Sequence, residues 1–336
     1  MVNWRDIFFR ENVNMTAGLL ETDQTPDKLQ PTTIEAEKSY INIVLRSMRI
    51  RNVRVGLKKF YGVVNSFIKL PALETEDASF NVVTIPSQLK NIDSAKLDLV
   101  IQMDQRLLGP VPYRGGDVHI ELGLFSVKTV DLVDVYLGLL GEIADAAGVS
   151  YIRQAVPFVK PIDKGIQMLL GAGATTNLEV GLKRDAFEPK TGHYVVTNAP
   201  KTEIKLSELA LDKDYQPVLK DGKEFKKYSY MVFTIYTTPD RKDWYDIPEI
   251  GIAHQNLRAA IRTAKKEAIS EFYETFKRTT LTSPDLLLED ASDIAKKVYK
   301  LQVEPWLKPA EEVSKEDKIK ETAMTLRKLD QVKVDL

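Results

Sequence analysis

The sequence predicts an α+β protein in which an antiparallel β-sandwich is followed by a helical subdomain. Strand-like segments are concentrated in residues 39–238, and helical periodicity dominates residues 239–336. The two kinds of element are therefore segregated along the chain. Regular alternation of strands and helices would favour a doubly wound parallel sheet, whereas segregation favours an antiparallel sheet with separate helices.

Residues 1–38 are predicted to be an N-terminal anchor followed by a linker. The linker is polar and contains Pro26 and Pro31, so it has little to bury. The anchor is apolar and either docks on the body of the protein or is exposed as a hook for a partner, docking being the simpler interpretation. Its apolar residues are Trp4, Ile7, Phe8 and Phe9.

The strand signals in residues 39–238 come from β-branched and aromatic runs and from alternation. Residues 117–127 (DVHIELGLFSV) alternate apolar and polar side chains, which is typical of a half-buried strand. The most hydrophobic run, YSYMVFTIYT at 228–237, is expected to be a central strand. Further strands are expected within 39–50, 60–68, 80–85, 177–182, 194–198 and 203–206.

Two segments inside this region break the strand pattern. Residues 107–116 (LLGPVPYRGG) are expected to be a loop because they contain two prolines and three glycines. Residues 129–172 show three- and four-residue apolar spacing, which predicts a helical hairpin inserted between strands. By strand count alone the region is compatible with a C2-like or immunoglobulin-like sandwich, which implies neither calcium nor lipid binding.

Residues 239–336 are predicted to be helical. A single long helix of about 45 Å is expected to begin at Pro248, a position suited to a first-turn proline, and to continue to Phe276. A shorter helix is expected after Ser283, and a charged helix over 309–330. The apolar stripe of the long helix comprises Ile250, Ala253, Leu257, Ile261, Ala264, Ala268, Phe272 and Phe276.

Composition excludes several functional classes. The chain of 336 residues has no cysteine, which excludes disulfide scaffolds, cysteine nucleophiles and iron–sulfur clusters. It has three histidines, which excludes a histidine-rich metal site. Its formal charge of −1 provides no overall attraction to nucleic acid. Because we find no signal peptide, membrane-spanning run, lipidation pattern or common catalytic motif, we expect a cytoplasmic protein that is not an enzyme and needs no cofactor.

A basic segment is the first candidate binding site. The segment, residues 46–59, contains six cations but no acidic residue, and aromatic residues follow it closely. Such a segment could bind a phosphate backbone, an anionic lipid surface or an acidic partner, but charges on an edge strand also protect against aggregation. Its cations are Arg46, Arg49, Arg51, Arg54, Lys58 and Lys59.

A second candidate is the i, i+2, i+4 series Asp117, His119 and Glu121, which lies on one face of a predicted strand. Two carboxylates and an imidazole could bind a divalent metal or carry out acid–base chemistry. The same alternation occurs on the solvated face of any antiparallel sheet. We therefore expect these side chains to face solvent or a polar contact, without bound metal.

The leading functional hypothesis is a non-enzymatic adaptor or scaffold that binds another protein. It follows from the absent catalytic motifs, the long helical region and the aromatic N-terminus. The first alternative is an anionic-surface binding module that uses residues 46–59. The second is a metal-dependent hydrolase that uses Asp117, His119 and Glu121.

Overall fold

A computed structural model describes residues 15–51, 54–55, 58–59, 61–71, 78–84, 101–127, 176–223 and 225–307. The chain divides into two compact units, one ending at Thr238 and the other beginning at Pro239. The described part of the first unit is built around antiparallel sheets, and that of the second is helical. The protein is therefore a mixed α+β protein.

The strands of the first unit, which we call the β unit, are numbered in chain order. They are β1 (Thr16–Leu19), β2 (Tyr40–Arg49), β3 (Arg54–Val55), β4 (Lys58–Lys59), β5 (Tyr61–Leu70), β6 (Ala78–Thr84), β7 (Ile101–Pro112), β8 (Val118–Val127), β9 (Thr176–Phe187), β10 (Gly192–Thr197), β11 (Leu209–Leu211), β12 (Pro217–Leu219) and β13 (Tyr230–Thr238).

These strands form two main sheets in which every described pairing is antiparallel. The order is β1-β10-β13-β2-β7 in the first sheet and β6-β5-β8-β9 in the second. Two further ladders, β3–β4 and β11–β12, are short hairpins. The most hydrophobic strand, β13, occupies the middle of the first sheet, where it pairs with a strand on each side, and its first six residues are buried.

Side chains from both main sheets meet in one hydrophobic core. Ile43 and Phe233 from the first sheet share it with Val64, Leu122 and Val180 from the second. A smaller apolar cluster covers part of the other face of the first sheet. That face is therefore partly buried, which explains how polar side chains on it can also become buried.

The predicted loop at 107–116 is wrong in its first half, because β7 continues to Pro112. Gly109 has a φ of +99°, and a side chain there would meet the carbonyl oxygen of Ile41 at 2.3 Å. The register between β2 and β7 shifts between Ile41 and Ile43. Glycine and proline fit here because they lie at an irregularity in the outermost strand of this sheet.

Two other elements differ from the predicted pattern. The predicted linker contains β1, whose residues Thr16–Leu19 pair with β10. The strand expected at 203–206 is not formed; a 3-10 turn at Leu206–Glu208 leads into β11 instead. The β1 segment has a weak pattern of its own, so its pairing with the distant strand β10 decides its structure.

The second unit, which we call the helical unit, contains α1 (Pro248–Thr263), α2 (Lys266–Leu281) and α3 (Leu288–Val298). A π-helical turn, Tyr299–Val303, and the short α4, Glu304–Leu307, follow. The predicted single long helix is wrong, because Ala264 adopts the left-handed conformation with a φ of 56° and separates α1 from α2. Each of these helices has 16 residues.

The break changes which face of α2 is buried. The predicted stripe places Phe272 inside, whereas the structure leaves Phe272 partly exposed and buries Ile269, Tyr273 and Phe276. A left-handed residue interrupts the 100° rotation per residue, so the helix after it begins a new phase.

Several predictions lie outside the described residues. They include the anchor residues Trp4, Ile7, Phe8 and Phe9, the helical hairpin at 129–172 and the helix at 309–330. Among the helices that the structure describes, none combines the length and hydropathy needed to cross a lipid bilayer.

Candidate functional site

A polar network in the β unit centres on His193, which is fully buried in β10. Its Nε2 lies 2.8 Å and 3.0 Å from the two carboxylate oxygens of Asp27, and its Nδ1 lies 2.8 Å from Oγ1 of Thr234. Thr234 faces His193 because the two residues are direct partners in the β10–β13 register. The network therefore joins the loop after β1 to two neighbouring strands.

Arg46 and Tyr215 complete this network. Arg46 Nε donates to Thr234 Oγ1 at 3.1 Å, and its guanidinium lies 4.9 Å from the centre of the Tyr215 ring. The Tyr215 hydroxyl donates to Asp27 at 3.3 Å. A neutral His193 satisfies every partner: Nε2–H donates to Asp27, and Nδ1 accepts the hydroxyl proton of Thr234.

The electrostatics of the network favour this protonation state. Burial lowers the pKa of His193, and the hydrogen bond and charge of Asp27 oppose this shift without cancelling it. Burial alone would raise the pKa of Asp27, but hydrogen bonds from His193, Leu29 and Tyr215 hold it below its ordinary value. A neutral imidazole beside an ionised carboxylate is the result.

The order carboxylate, imidazole, hydroxyl is that of nucleophilic triads, but the geometry does not present a nucleophile. Thr234 is only 1% exposed, and its oxygen already accepts a hydrogen bond from Arg46. A nucleophile must be reachable by a substrate carbonyl or phosphoryl group. The network therefore acts as a buried connection between chain segments.

Sequence reasoning missed this network because its members are distant in the chain. Asp27 is 166 residues from His193 and lies in the segment predicted to be a linker. One signal was available: His193 directly precedes the strand predicted at 194–198. In the structure that strand, Gly192–Thr197, is buried at every position. A histidine within such a strand must find buried partners, because an unpaired polar group there is costly.

The basic segment is divided by the structure. Arg46 is paired with Asp104, with 2.7 Å between its guanidinium nitrogen and the carboxylate. It belongs to the His193 network because it also donates to Thr234. Arg49 is half-buried and Arg51 is exposed. Arg54 is the register partner of Lys59 in the β3–β4 ladder, and Lys58 is the register partner of Val55. The backbone register thus pairs Arg54 with Lys59 on the hairpin, whereas Arg46 lies on β2 between β13 and β7.

The predicted metal-ligating residues are only partly brought together. His119 Nε2 lies 2.9 Å from Glu121 Oε1, which is also 3.4 Å from Lys183 Nζ. Glu121 is 1% exposed and makes polar contacts instead of facing solvent, whereas Asp117 lies exposed before β8. Among the described residues no group of three or more histidine or carboxylate side chains could hold a metal ion.

The helical unit differs in what it exposes. Among the described residues, all of the exposed large hydrophobic side chains lie in this unit. Leu288 is 69% exposed at the start of α3, and Ile252 is 60% exposed on α1. The others are Phe272, Tyr299 and Leu301, the last two in the π-helical turn.

Comparison of the chain with protein-family models, with curated proteins and with solved structures finds no match.

Proposed function

We propose that this protein is a non-enzymatic adaptor or scaffold that binds another protein through its helical unit. The observation that carries the proposal is that, within the part of the chain that the structure describes, every exposed large hydrophobic side chain lies in that unit. Scattered exposed apolar residues are ordinary, but their concentration in one of two units favours an interaction surface.

The position of two of these side chains adds support. Tyr299 and Leu301 belong to the π-helical turn at Tyr299–Val303, a rare element that is frequent at functional sites. Interface cores are enriched in aromatic and large apolar side chains surrounded by a polar rim. The partner we expect therefore offers a complementary apolar patch.

A charge-insertion pair tests this proposal. Ile252→Glu places a carboxylate in an exposed apolar position of α1, and Gln255→Glu places the same charge at an exposed polar position of the same helix. Partners recovered from the native host with the full chain are quantified for the wild type and both variants. We expect Ile252→Glu to lose partner recovery by about tenfold, equivalent to ~1.4 kcal/mol, and Gln255→Glu to retain it.

Equal recovery by all three proteins would contradict the proposed surface. A circular dichroism spectrum shared with the wild type shows that Ile252→Glu has kept its helices. Leu288→Glu provides a second test at the most exposed of these large hydrophobic side chains.

A second candidate function is binding of an anionic surface through the β3–β4 hairpin, and one observation favours it. Arg54 and Lys59 are cross-strand partners, and like charges placed opposite each other destabilise a ladder. An anionic lipid or phosphate surface would relieve that repulsion. Arg49 and Arg51 lie just before this hairpin in the chain.

Salt-dependent binding distinguishes this second function. Vesicles with anionic lipid should bind the full chain more weakly as salt rises, and Arg49→Glu with Arg51→Glu should weaken binding sharply. Charge reversal at the distant exposed residues Lys201 and Lys213 is the matched control. Binding that is unchanged by the first pair would leave the hairpin as a solvated edge.

For the β unit we further propose the C2-like or immunoglobulin-like sandwich class. Two antiparallel sheets that share one core support it. We also propose a cytoplasmic location, which the absence of cysteine supports.

A further inference from the structure

An apolar cleft lies between the two sheets of the β unit, beside β1 and β9. Its volume is about 240 Å³. Its walls come from both sheets: Leu19, Tyr194 and Phe233 from the first, and Ile120 and Leu182 from the second. The cleft is thus an extension of the hydrophobic core towards the edge where β1 and β9 are the outermost strands of their sheets.

The small side chain of Ala17 in β1 borders the empty space. β1 has the sequence TAGL, and Ala17, which stands opposite Val196 in the register, packs partly buried against the shared core. A single methyl group fills less of the space than the valine, leucine and isoleucine side chains elsewhere in this core. Since close packing is the rule in protein interiors, an unfilled apolar space at a sheet edge suggests a ligand.

Aromatic side chains give the cleft a well-defined wall. The rings of Tyr194 and Phe233 are stacked at 5.0 Å, and Phe187 meets Tyr194 edge-on at 5.8 Å. The Tyr194 hydroxyl donates to the carbonyl oxygen of Lys190 at 2.9 Å. The tyrosine therefore lines the cleft while its polar end is satisfied by Lys190.

The exposed residues that line the cleft are charged. Arg184, Glu188 and Lys190 all line it and are all exposed. Two cations against one anion leave a net positive charge where the apolar walls meet solvent. A ligand that fits this arrangement has an apolar body and an anionic end.

We propose that this cleft binds the apolar chain of a single-chain anionic amphiphile, with Arg184 and Lys190 contacting its head group. A volume of about 240 Å³ is below the ~300 Å³ of the smallest typical ligand pockets, so it suits one alkyl chain better than a fused ring system. The inference goes beyond the proposed adaptor function, which uses the other unit, and the two can fail separately.

Titration calorimetry of the full chain tests the proposal with decanoate and decyl phosphate below their micelle concentrations and with decanol below its solubility limit. The three probes share one chain and differ in the head group, so the two anions distinguish a carboxylate from a phosphate ligand. We expect at least one anion to bind one-to-one and more tightly than decanol. Arg184→Glu with Lys190→Glu should weaken the affinity for that anion by about tenfold or more and change the affinity for decanol by less than about twofold.

Two controls complete the experiment. Lys201→Glu with Lys213→Glu reverses the same number of charges at exposed positions that do not line the cleft, and should leave binding unchanged. Ala17→Phe should abolish binding of every probe, because the added ring fills the cleft.

The proposal is overturned if no anionic probe binds the wild type, or if both charge-reversal pairs weaken binding equally. It is also overturned if binding appears only when Trp4, Phe8 and Phe9 are replaced by alanine. That result would assign the cleft to the apolar N-terminal segment of this chain. The charge-reversal variants alter exposed side chains, so they keep the test valid should Ala17→Phe fail to fold.

Discussion

In the β unit, the buried polar side chains His193 and Thr234 contact each other, and they also contact the more exposed Asp27 and Arg46. In the helical unit, Leu288 and Ile252 leave more than half of their surface in contact with solvent. Both units bury polar groups, but among the described residues only the helical unit places large apolar groups outside. A buried polar group needs a compensating interaction, whereas exposed apolar groups concentrated in one unit favour a partner surface.

The compensation differs between the two units. In the β unit it is present in the structure, as hydrogen bonds from distant chain segments. In the helical unit the exposed apolar side chains would be compensated by a partner, which is the basis of the proposed adaptor function. The following predictions test this distinction, beginning with the change expected to have the largest effect.

The strongest test of internal compensation in the helical unit is Arg241→Ala. Arg241 is 1% exposed, donates from Nε to Asp243 at 3.1 Å and donates to the carbonyl oxygen of Asp285 at 3.1 Å. Its loss removes buried packing and leaves a buried carbonyl without this donor, so we expect a cost of about 3 kcal/mol. Urea unfolding followed by tryptophan fluorescence measures it, because Trp244 and Trp306 both lie in this unit.

Lys300→Ala, which removes an exposed cation from the same unit, is the control and should change stability by less than about 0.5 kcal/mol. If the two variants were equally stable, Arg241 would not be a structural connection.

The β-unit network is tested by Thr234→Val, which keeps the shape of the side chain and removes its hydroxyl. His193 Nδ1 and Arg46 Nε then each lose a partner in a buried setting, so we expect a loss of about 1–3 kcal/mol. Faster hydrogen exchange of the β10 and β13 amides would report it.

Thr237→Val in the same strand is the matched control, because Thr237 is only half-buried. A similar, small effect of both substitutions would show that the Thr234 hydroxyl contributes little to the stability of the β unit.

The pH dependence of stability should follow from His193. Its pKa in the folded protein is lowered, first by burial, so the unfolded chain binds a proton more readily near the ordinary value of 6.5. Stability should therefore fall as pH drops below about 6.5, and should level off below the folded pKa. Asp27 has a lowered pKa, so its own contribution is lost only below about 3.8.

Urea unfolding at a series of pH values measures this dependence. His193→Gln should reduce the decline that begins near pH 6.5, since the titrating group is gone. Asp27→Asn should deepen it, because the carboxylate that favours the protonated imidazole is removed. A decline that is unchanged in His193→Gln would assign it to another group.

The smallest effect is expected for Leu288→Ser. Because Leu288 is largely exposed, its replacement should change the stability of the helical unit by less than about 0.5 kcal/mol. Leu257→Ala in α1, at a fully buried position, should cost about 2–5 kcal/mol in the same measurement. A large loss for Leu288→Ser would show that this side chain supports the fold instead of a partner surface.

Local pattern predicted some elements of the fold well. Tyr230–Thr238 is a strand in the middle of its sheet, as its apolar and β-branched run indicates. The helix start at Pro248 was also visible, because proline is favoured in the first turn. These elements have strong intrinsic preferences that packing reinforces.

Other elements could not be predicted from neighbouring residues. Gly109 and Pro110 predict a loop by composition, but their position opposite Asn42 at a register shift allows β7 to contain them. The left-handed Ala264 carries no glycine or proline signal, so the end of α1 was invisible. At Gly109 the deciding contact is with β2, a segment that the local sequence does not contain.

The sequence by itself determined the α+β class, the segregation of strands from helices and the absence of cysteine chemistry, because these depend on composition and short-range periodicity. Only the tertiary structure decided that Asp27 contacts His193, that Arg46 is paired away from the other basic residues and that Leu288 is exposed. Each of these depends on pairings between residues far apart in the chain. Periodicity indicates which face of an element is apolar, but not which distant side chain will meet it.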